Sequence, residues 1–243
     1  VNLIVNNKNE GFTKGVNLGV KSAKGKYLFI LNPDTLILEN SIIKLFEFME
    51  KNDNIGVIGP KIFTNSMKLQ QSIWRKPSLF NTLLSIFYLD RLNHKKNYKN
   101  SLGINNKVDC VSGAGMFIKA SLFKLMKGLD ANLFWMEDID FCVRCLYKGY
   151  NNYYISEAEI IHYKGKSSEK NWSITINNQL ISKIKYFQKH LSNIQTFILT
   201  ITIFMVSILK LLFLIILSPI KIKYRNKTYG HYLVIKDIIL KNY

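Results

Sequence analysis

At 243 residues the chain is long enough for one domain with a full core and an appendage. Lys and Arg number 34 against 16 acids, for a net charge of +18, yet only four are Arg: Arg75, Arg91, Arg144 and Arg225. Surfaces that read nucleic acid favour the planar arginine fork, so a lysine surplus argues against a nucleic-acid partner and for phosphates or acidic lipid. Three cysteines, Cys110, Cys142 and Cys145, make no disulfide framework and imply a reducing compartment.

In chain order, residues 1–5 are a strand-like run, with no signal peptide visible, and residues 6–11 a polar loop. Residues 12–23 read as a helix with Phe12, Val16, Leu18, Val20 and Ala23 apolar. Gly11, Gly15 and Gly19 recur every four residues, and a helical glycine costs about 1 kcal/mol against alanine. Their alignment points either to close packing on a strand or to a nucleotide approaching the backbone.

The chain is organised around residues 26–35, Lys-Tyr-Leu-Phe-Ile-Leu-Asn-Pro-Asp-Thr. Residues 27–31 read as a strand buried on both faces, as in a parallel sheet. Pro33 cannot donate to a ladder, so the strand ends near Asn32. Asp34 then sits just past its carboxyl end, where open α/β sheets bind ligands. Taken alone, the same residue also fits a cap or a turn.

A helix is expected over residues 41–51, with Asn40 as its N-cap, and short strands over 55–58 and 61–64 around Gly59-Pro60. This β-α-β-α-β order is that of a doubly wound sheet. A helix is expected over 78–89, followed by a Lys/Asn-rich loop over 94–106. Strand pattern returns over 108–120, where Gly113 and Gly115 mark a bulge or a ligand lying on the backbone. A short helix over 121–126, a helix from Glu137 to about Lys148, and strands over 152–156 and 159–163 follow. Residues 174–191 are helical in pattern, residues 197–220 are apolar but for Lys210, and the basic tail is helical after Asn226.

Glu137, Asp138 and Asp140 fall within four positions at a helix start, where the dipole stabilises acids. Phe134-Trp135-Met136 ahead of them is a means of raising one carboxyl pKa toward that of a general base. Asp140 and Arg144, spaced i,i+4, are expected to pair. Cys142-x-x-Cys145 has the spacing of a redox pair but no helix N-terminus to activate a thiol. His162, just after a strand, fits either a structural role or a metal or phosphate ligand.

Five stretches occur in one order: Asn9-Glu-Gly-Phe-x-x-Gly15-x-Asn17; Gly25-Lys-Tyr-x-x-x-Leu-Asn32-Pro-Asp34-Thr; Ser112-Gly113-Ala114-x-x-Phe-Ile; Gly128-Leu-Asp-x-x-Leu-Phe-x-x-Glu137-Asp138-x-Asp140-x-x-x-Arg144; and Ile161-His162-x-x-Gly165-x-Ser167. Together, over about residues 1–168, they resemble a family 2 glycosyltransferase of the GT-A fold, most of all its rhamnosyltransferase branch. The resemblance implies an α/β fold with a doubly wound mixed sheet, lacking the two N-terminal strands that cradle the base and ribose in relatives. It implies a GT-A domain over residues 1–170, and the apolar and helical patterning beyond it reads as a hydrophobic helical membrane-associating region over 171–243. Asp34 would bind Mg²⁺ or Mn²⁺ on the donor diphosphate, with His162 as a second metal or diphosphate contact. Asn32 stands where many relatives carry an acid, so one carboxylate serves an ion held mostly by phosphates and water. Asp138 would deprotonate the acceptor hydroxyl, with Glu137 beside it. Gly11, Gly15, Asn17, Asn32, Gly113 and Ala114 would line the donor.

The run over 197–220 is long enough to span a bilayer, and both flanks are basic: Lys183, Lys185 and Lys189 before, Lys221, Lys223, Arg225 and Lys227 after. A single span would place one basic flank outside, whereas an in-plane helix keeps both on the cytoplasmic side. The sequence leaves both arrangements open. The expected function is inverting transfer of a deoxyhexose such as rhamnose from a nucleotide diphosphate to a polysaccharide or lipid-linked acceptor, at the cytoplasmic face of a bacterial plasma membrane. Two rivals are a polyprenyl-phosphate sugar transferase and an inactive fragment that only binds membrane or a partner.

Overall fold

The computed structural model describes residues 2–89, 103–163, 171–219 and 222–243. Most of the expected loop over 94–106, and Gly165 and Ser167 of the last motif, lie outside the described residues. The chain forms two compact units. The first comprises Val1–Lys76, Asn93–Ala131 and Glu137–Lys164; the second comprises Pro77–Leu92, Asn132–Met136 and Gly165–Tyr243.

The first unit is built on a mixed sheet of β1 (Tyr27–Leu31), β2 (Thr35–Ile37), β3 (Ile55–Phe63), β4 (Leu69–Gln70), β6 (Asn106–Val108), β8 (Gly115–Lys119) and β9 (Asn151–His162). Its order is β1-β8-β3-β9-β2, with β4 added to β3 and β6 to β9. A two-stranded ribbon pairs β5 (Ile73–Trp74) with β7 (Cys110–Val111). The helices of this unit are α1 (Phe12–Ser22), α2 (Ser41–Lys51), α4 (Ala120–Leu125) and α5 (Glu137–Tyr147).

The mixed sheet expected of the GT-A fold is present, with differences from the reading strand by strand. The β1 strand is antiparallel to β8, and its burial alternates instead of covering both faces. The two strands expected around Gly59-Pro60 are one, β3, and those expected over 152–163 are one, β9. These two run parallel, and their register shifts between Pro60 and Lys61, so the irregularity read as a break is a bulge. Residues 2–5 are not a strand: Leu3 is 84% and Val5 75% exposed, and no ladder pairs them among the described residues. Strand propensity alone does not hold a strand whose backbone groups face water.

Leu45 and Met49 of α2 pack on Ile55, Ile58, Phe117 and Ile155 of the sheet. Asn40 precedes α2 in a left-handed conformation and makes no side-chain cap; instead the Ser41 hydroxyl donates to Glu159 O at 2.8 Å and accepts from Glu159 N. Fully buried Asn152 joins three segments, accepting from Val57 N and donating to Asp109 O and Cys142 O. All three cysteines are buried and free. Burial pushes the Cys145 thiol well up, which removes the redox reading of Cys142-x-x-Cys145.

The second unit holds α3 (Leu79–Ile86), α6 (Trp172–His190), α7 (Asn193–Leu217) and α8 (Ile222–Ile239). Ser192 and Gln195 form a capping box that starts α7 just after α6 ends. Ile184, Phe187, Leu199, Ile203 and Val234 are buried among these helices. A Cβ at Gly230 would stand 3.1 Å from the Ser173 backbone, so α8 approaches α6 at glycine distance. Among the described residues, α7 is the one helix long and apolar enough to cross a membrane by length and composition.

Candidate active site

Where β1 ends, Asn32-Pro33-Asp34 turns the chain into β2, and the Thr35 hydroxyl closes the turn on Asn32 O at 2.7 Å. β2 pairs with the last residues of β9, Thr35 opposite His162, and Tyr163 N donates to Asp34 O at 2.9 Å. This pairing carries the imidazole to the turn: His162 Nε2 is 3.2 Å from Asp34 Oδ1 and 3.3 Å from Asn32 Nδ2. On the other side of the ring, Gln70 Nε2 is 3.0 Å from Nδ1. With Gln70 donating to Nδ1, the ring proton is on Nε2, which lies 3.2 Å from Asp34 Oδ1. A half-turn of the Gln70 carboxamide makes Nδ1–H the donor and frees the Nε2 lone pair for a cation.

Asp34, His162 and Asn32 thus offer a carboxylate, an imidazole and a carboxamide at one point. That donor set suits Mn²⁺ or Mg²⁺, whose remaining positions phosphates and water would fill. Among the described residues, no group of three or more His, Cys, Asp or Glu side chains is placed to hold an ion by itself.

The same turn is joined to the acids of α5. Asn32 N donates to Ala114 O at 3.4 Å, and Gly113 N donates to Asp138 Oδ2 at 2.7 Å. Asp138 Oδ1 accepts from Ile139 N at 2.8 Å. Burial raises the Asp138 carboxyl above its ordinary range, while the two amide donors hold it down; burial is the larger effect. Asp138 is therefore a carboxylate fixed by backbone amides and more basic than an exposed aspartate. Glu137, its neighbour at the start of α5, is half-buried.

Asp140 is fully buried and pairs with Arg144 at 2.8 Å, as its spacing implied. The guanidinium also caps Met126 O and Gly128 O, so this pair ties α5 to the end of α4. Asn17 has a similar structural setting: its carboxamide donates to Leu129 O at 2.8 Å and accepts from Leu129 N at 3.0 Å. Gly11 precedes α1 with φ 84°, a conformation that favours glycine. A Cβ at Gly15 or Gly19 would meet nothing within 4 Å, so close packing does not account for those two glycines. The structure thus groups Asn32, Asp34, Gly113, Ala114, Asp138 and His162, and engages Asn17 at Leu129. Gln70 was not among the expected residues; it lies on a two-residue strand that leaves no periodic signal.

The profile of "Glycosyl transferase family 2" matches residues 1–125, more than half of the chain. The chain belongs to glycosyl transferase family 2. As a member it is a nucleotide-sugar-dependent glycosyltransferase, in agreement with the five motifs. Among its relatives, "Rhamnosyltransferase WbbL" of Escherichia coli strain K12 is 24% identical over 189 residues, covering 74% of this chain and 70% of that protein. The "dTDP-rhamnosyl transferase RfbF" of Shigella flexneri is 25% identical over 190 residues, covering 72% of this chain and 56% of that protein. A crystal structure of GalNAc-T7 with UDP, GalNAc and Mn²⁺ overlaps 65% of this chain and 31% of that one, with a TM-score of 0.47 and 14% identity.

Proposed function

We propose that this chain performs inverting transfer of a deoxyhexose, rhamnose, from a dTDP-linked donor to a cell-surface polysaccharide or lipid-linked acceptor. The acceptor hydroxyl would lie against Asp138 on the face of the sugar opposite the leaving diphosphate, the geometry that inversion requires. The observation that carries the reading is the Asp138 carboxylate, made more basic by burial, oriented by Gly113 N, and linked through Ala114 to the Asn32–Asp34 turn. The choice of donor rests on the two relatives named for rhamnosyl transfer, one of them for dTDP-rhamnosyl transfer.

In this mechanism Asp138 takes the proton of the attacking hydroxyl, and Gly113 N keeps the receiving oxygen in place. Asp34 and His162, with Asn32, would hold a divalent ion, which when bound neutralises charge on the departing nucleoside diphosphate. Gly113 and Ala114 would lie against the donor sugar, and Gly11 and Gly15 would allow approach of the nucleotide to α1. The catalytic domain would extend over residues 1–170, with residues 171–243 attaching it to the cytoplasmic face of the plasma membrane.

The test follows sugar transfer and donor affinity separately in Asp138→Asn and Glu137→Gln. Loss of a general base costs about 10²–10⁴-fold in rate and leaves donor binding intact. Near-normal transfer by Asp138→Asn with collapse in Glu137→Gln moves the role one residue upstream. Normal transfer in both removes these acids from the mechanism.

A further inference from the structure

Helix α7 has two unlike faces. On one, Leu199, Ile203 and Ser207 are buried in the helical unit, and the Ser207 hydroxyl lies 3.4 Å from His231 Nδ1 on α8. On the other, Ile194, Phe197, Ile201, Met205, Leu209 and Phe213 are 46–73% exposed. These six recur every three or four residues, so they form one continuous apolar stripe, roughly 30 Å long and without a charge.

The helix is long enough to cross a bilayer, but its neighbour is not suited to follow it. The Ser207–His231 contact sets the register of the antiparallel α7–α8 pair. Lys223, Arg225 and Lys227 therefore lie level with the last turns of α7, and Lys236 and Asp237 level with its middle. Drawing α7 through hydrocarbon would either carry these charges in with it or strip α8 from the Leu199–Ser207 face, and both are costly. Laid flat, α7 buries the stripe and leaves every charge of α8 in water or among headgroups.

The charge of the same region identifies the surface. Residues 171–243 carry ten Lys or Arg against one acid, Asp237. The Lys223 and Lys227 ammonium groups stand over the Trp172 ring, 5.4 and 4.9 Å from its centroid. An indole flanked by lysines is suited to the headgroup layer. A second copy of the chain fits the stripe less well, because any face-to-face pairing brings two strongly basic units together.

We propose that the helical unit binds an anionic bilayer in-plane, with α7 sunk along its stripe, both its ends on the same side, and the Trp172–Lys223–Lys227 cluster among the headgroups. The proposal deepens, and rests on, the membrane attachment put forward above.

The experiment is flotation of the full chain with vesicles of phosphatidylcholine alone or with phosphatidylglycerol, followed by alkaline carbonate extraction. Flotation with the anionic vesicles, and release by carbonate, are expected. Leu209→Asp, on the exposed stripe, should lower vesicle partitioning by about tenfold or more. Lys223→Glu with Lys227→Glu should abolish the preference for anionic lipid, with the circular dichroism spectrum unchanged in both variants. Resistance to carbonate, with positions 193 and 218 labelled from opposite sides of the vesicle, would establish a span and overturn the proposal. So would absence of flotation together with a concentration-dependent dimer that Leu209→Asp dissolves. Sugar transfer to a soluble acceptor is measured in parallel: transfer without vesicle binding rejects the membrane proposal alone, and vesicle binding without transfer rejects the enzymatic reading alone.

Discussion

The Gly113 amide donates to Asp138 Oδ2 at 2.7 Å, and a methyl group at Gly113 would stand 3.3 Å from both Cβ and Oδ2 of that aspartate. A glycine on the β7–β8 connection and the second residue of α5 thus fix one another. The glycine read as a bulge or ligand contact does so by leaving room for the carboxylate.

Gly113→Ala should therefore disturb transfer without touching the carboxylate chemically. Displacing Asp138 by a few tenths of an ångström weakens its amide bond, and small misplacements of a catalytic group can cost up to about 10²-fold. Losing a donor to the charged form also raises the carboxyl pKa further. Burial holds the Asp138 carboxyl above its ordinary range, so with Asp138 as base the acid limb of the kcat–pH profile is expected above that range in the wild type and at still higher pH in Gly113→Ala. An unchanged limb and an unchanged rate would show that Asp138 is not the titrating base.

Asp34→Asn should lose the dependence of donor affinity on divalent ion. The substitution removes the one carboxylate of the Asn32–Asp34–His162 group and leaves its shape. Titration of a nucleoside diphosphate with and without Mn²⁺ reads this directly. Affinity in the wild type that does not respond to Mn²⁺ would refute the ion's place here.

How much of this site was legible in sequence differs residue by residue. Asp34 could be placed at a strand end because the apolar run stops at Pro33, though the same residue also fitted a cap or a turn, and Asp140 and Arg144 could be paired because i,i+4 spacing is local. His162 had no fixed partner in sequence, since β9 read as two strands, and only the Thr35–His162 pairing carries the imidazole to Asp34. Gln70 had no signal at all: it reaches His162 from a two-residue strand whose partners are set by β3. Asn17 fell inside a motif that matched the family, but its double hydrogen bond to Leu129 spans more than a hundred residues of chain and is a property of the fold. The strand read over residues 1–5 illustrates the reverse case: among the described residues, no ladder satisfies the local preference of residues 2–5.

Arg144→Met should be among the most destabilising single changes in the first unit. It leaves Asp140 fully buried without its ion pair and uncaps the carbonyls of Met126 and Gly128. Breaking one side of a buried pair typically costs about 3–5 kcal/mol. Arg144→Lys should recover only part, since an ammonium cannot reproduce the fork that reaches three acceptors. Denaturant midpoints of the two variants check the order.

His231 gives the helical unit its own response to pH. It is 5% exposed beside Ser207, and its pKa is lowered from 6.5 to about 4, first by burial and then by the charges of Lys210 and Lys227. The unfolded chain takes up a proton near pH 6.5 that the folded unit refuses until about pH 4. Stability contributed by neutral His231 is thus fully present above pH 6.5 and declines as pH falls through that window. The slope is about 1.4 kcal/mol per pH unit while only the unfolded state titrates. His231→Gln keeps a polar group near Ser207 but cannot be protonated, so it should flatten this slope whatever it does to stability at neutral pH. The check is the denaturant midpoint of helix loss, followed by far-ultraviolet circular dichroism at pH 7, 6, 5 and 4.5. A wild type that loses no more stability across that range than His231→Gln would show that this imidazole is not a neutral buried group.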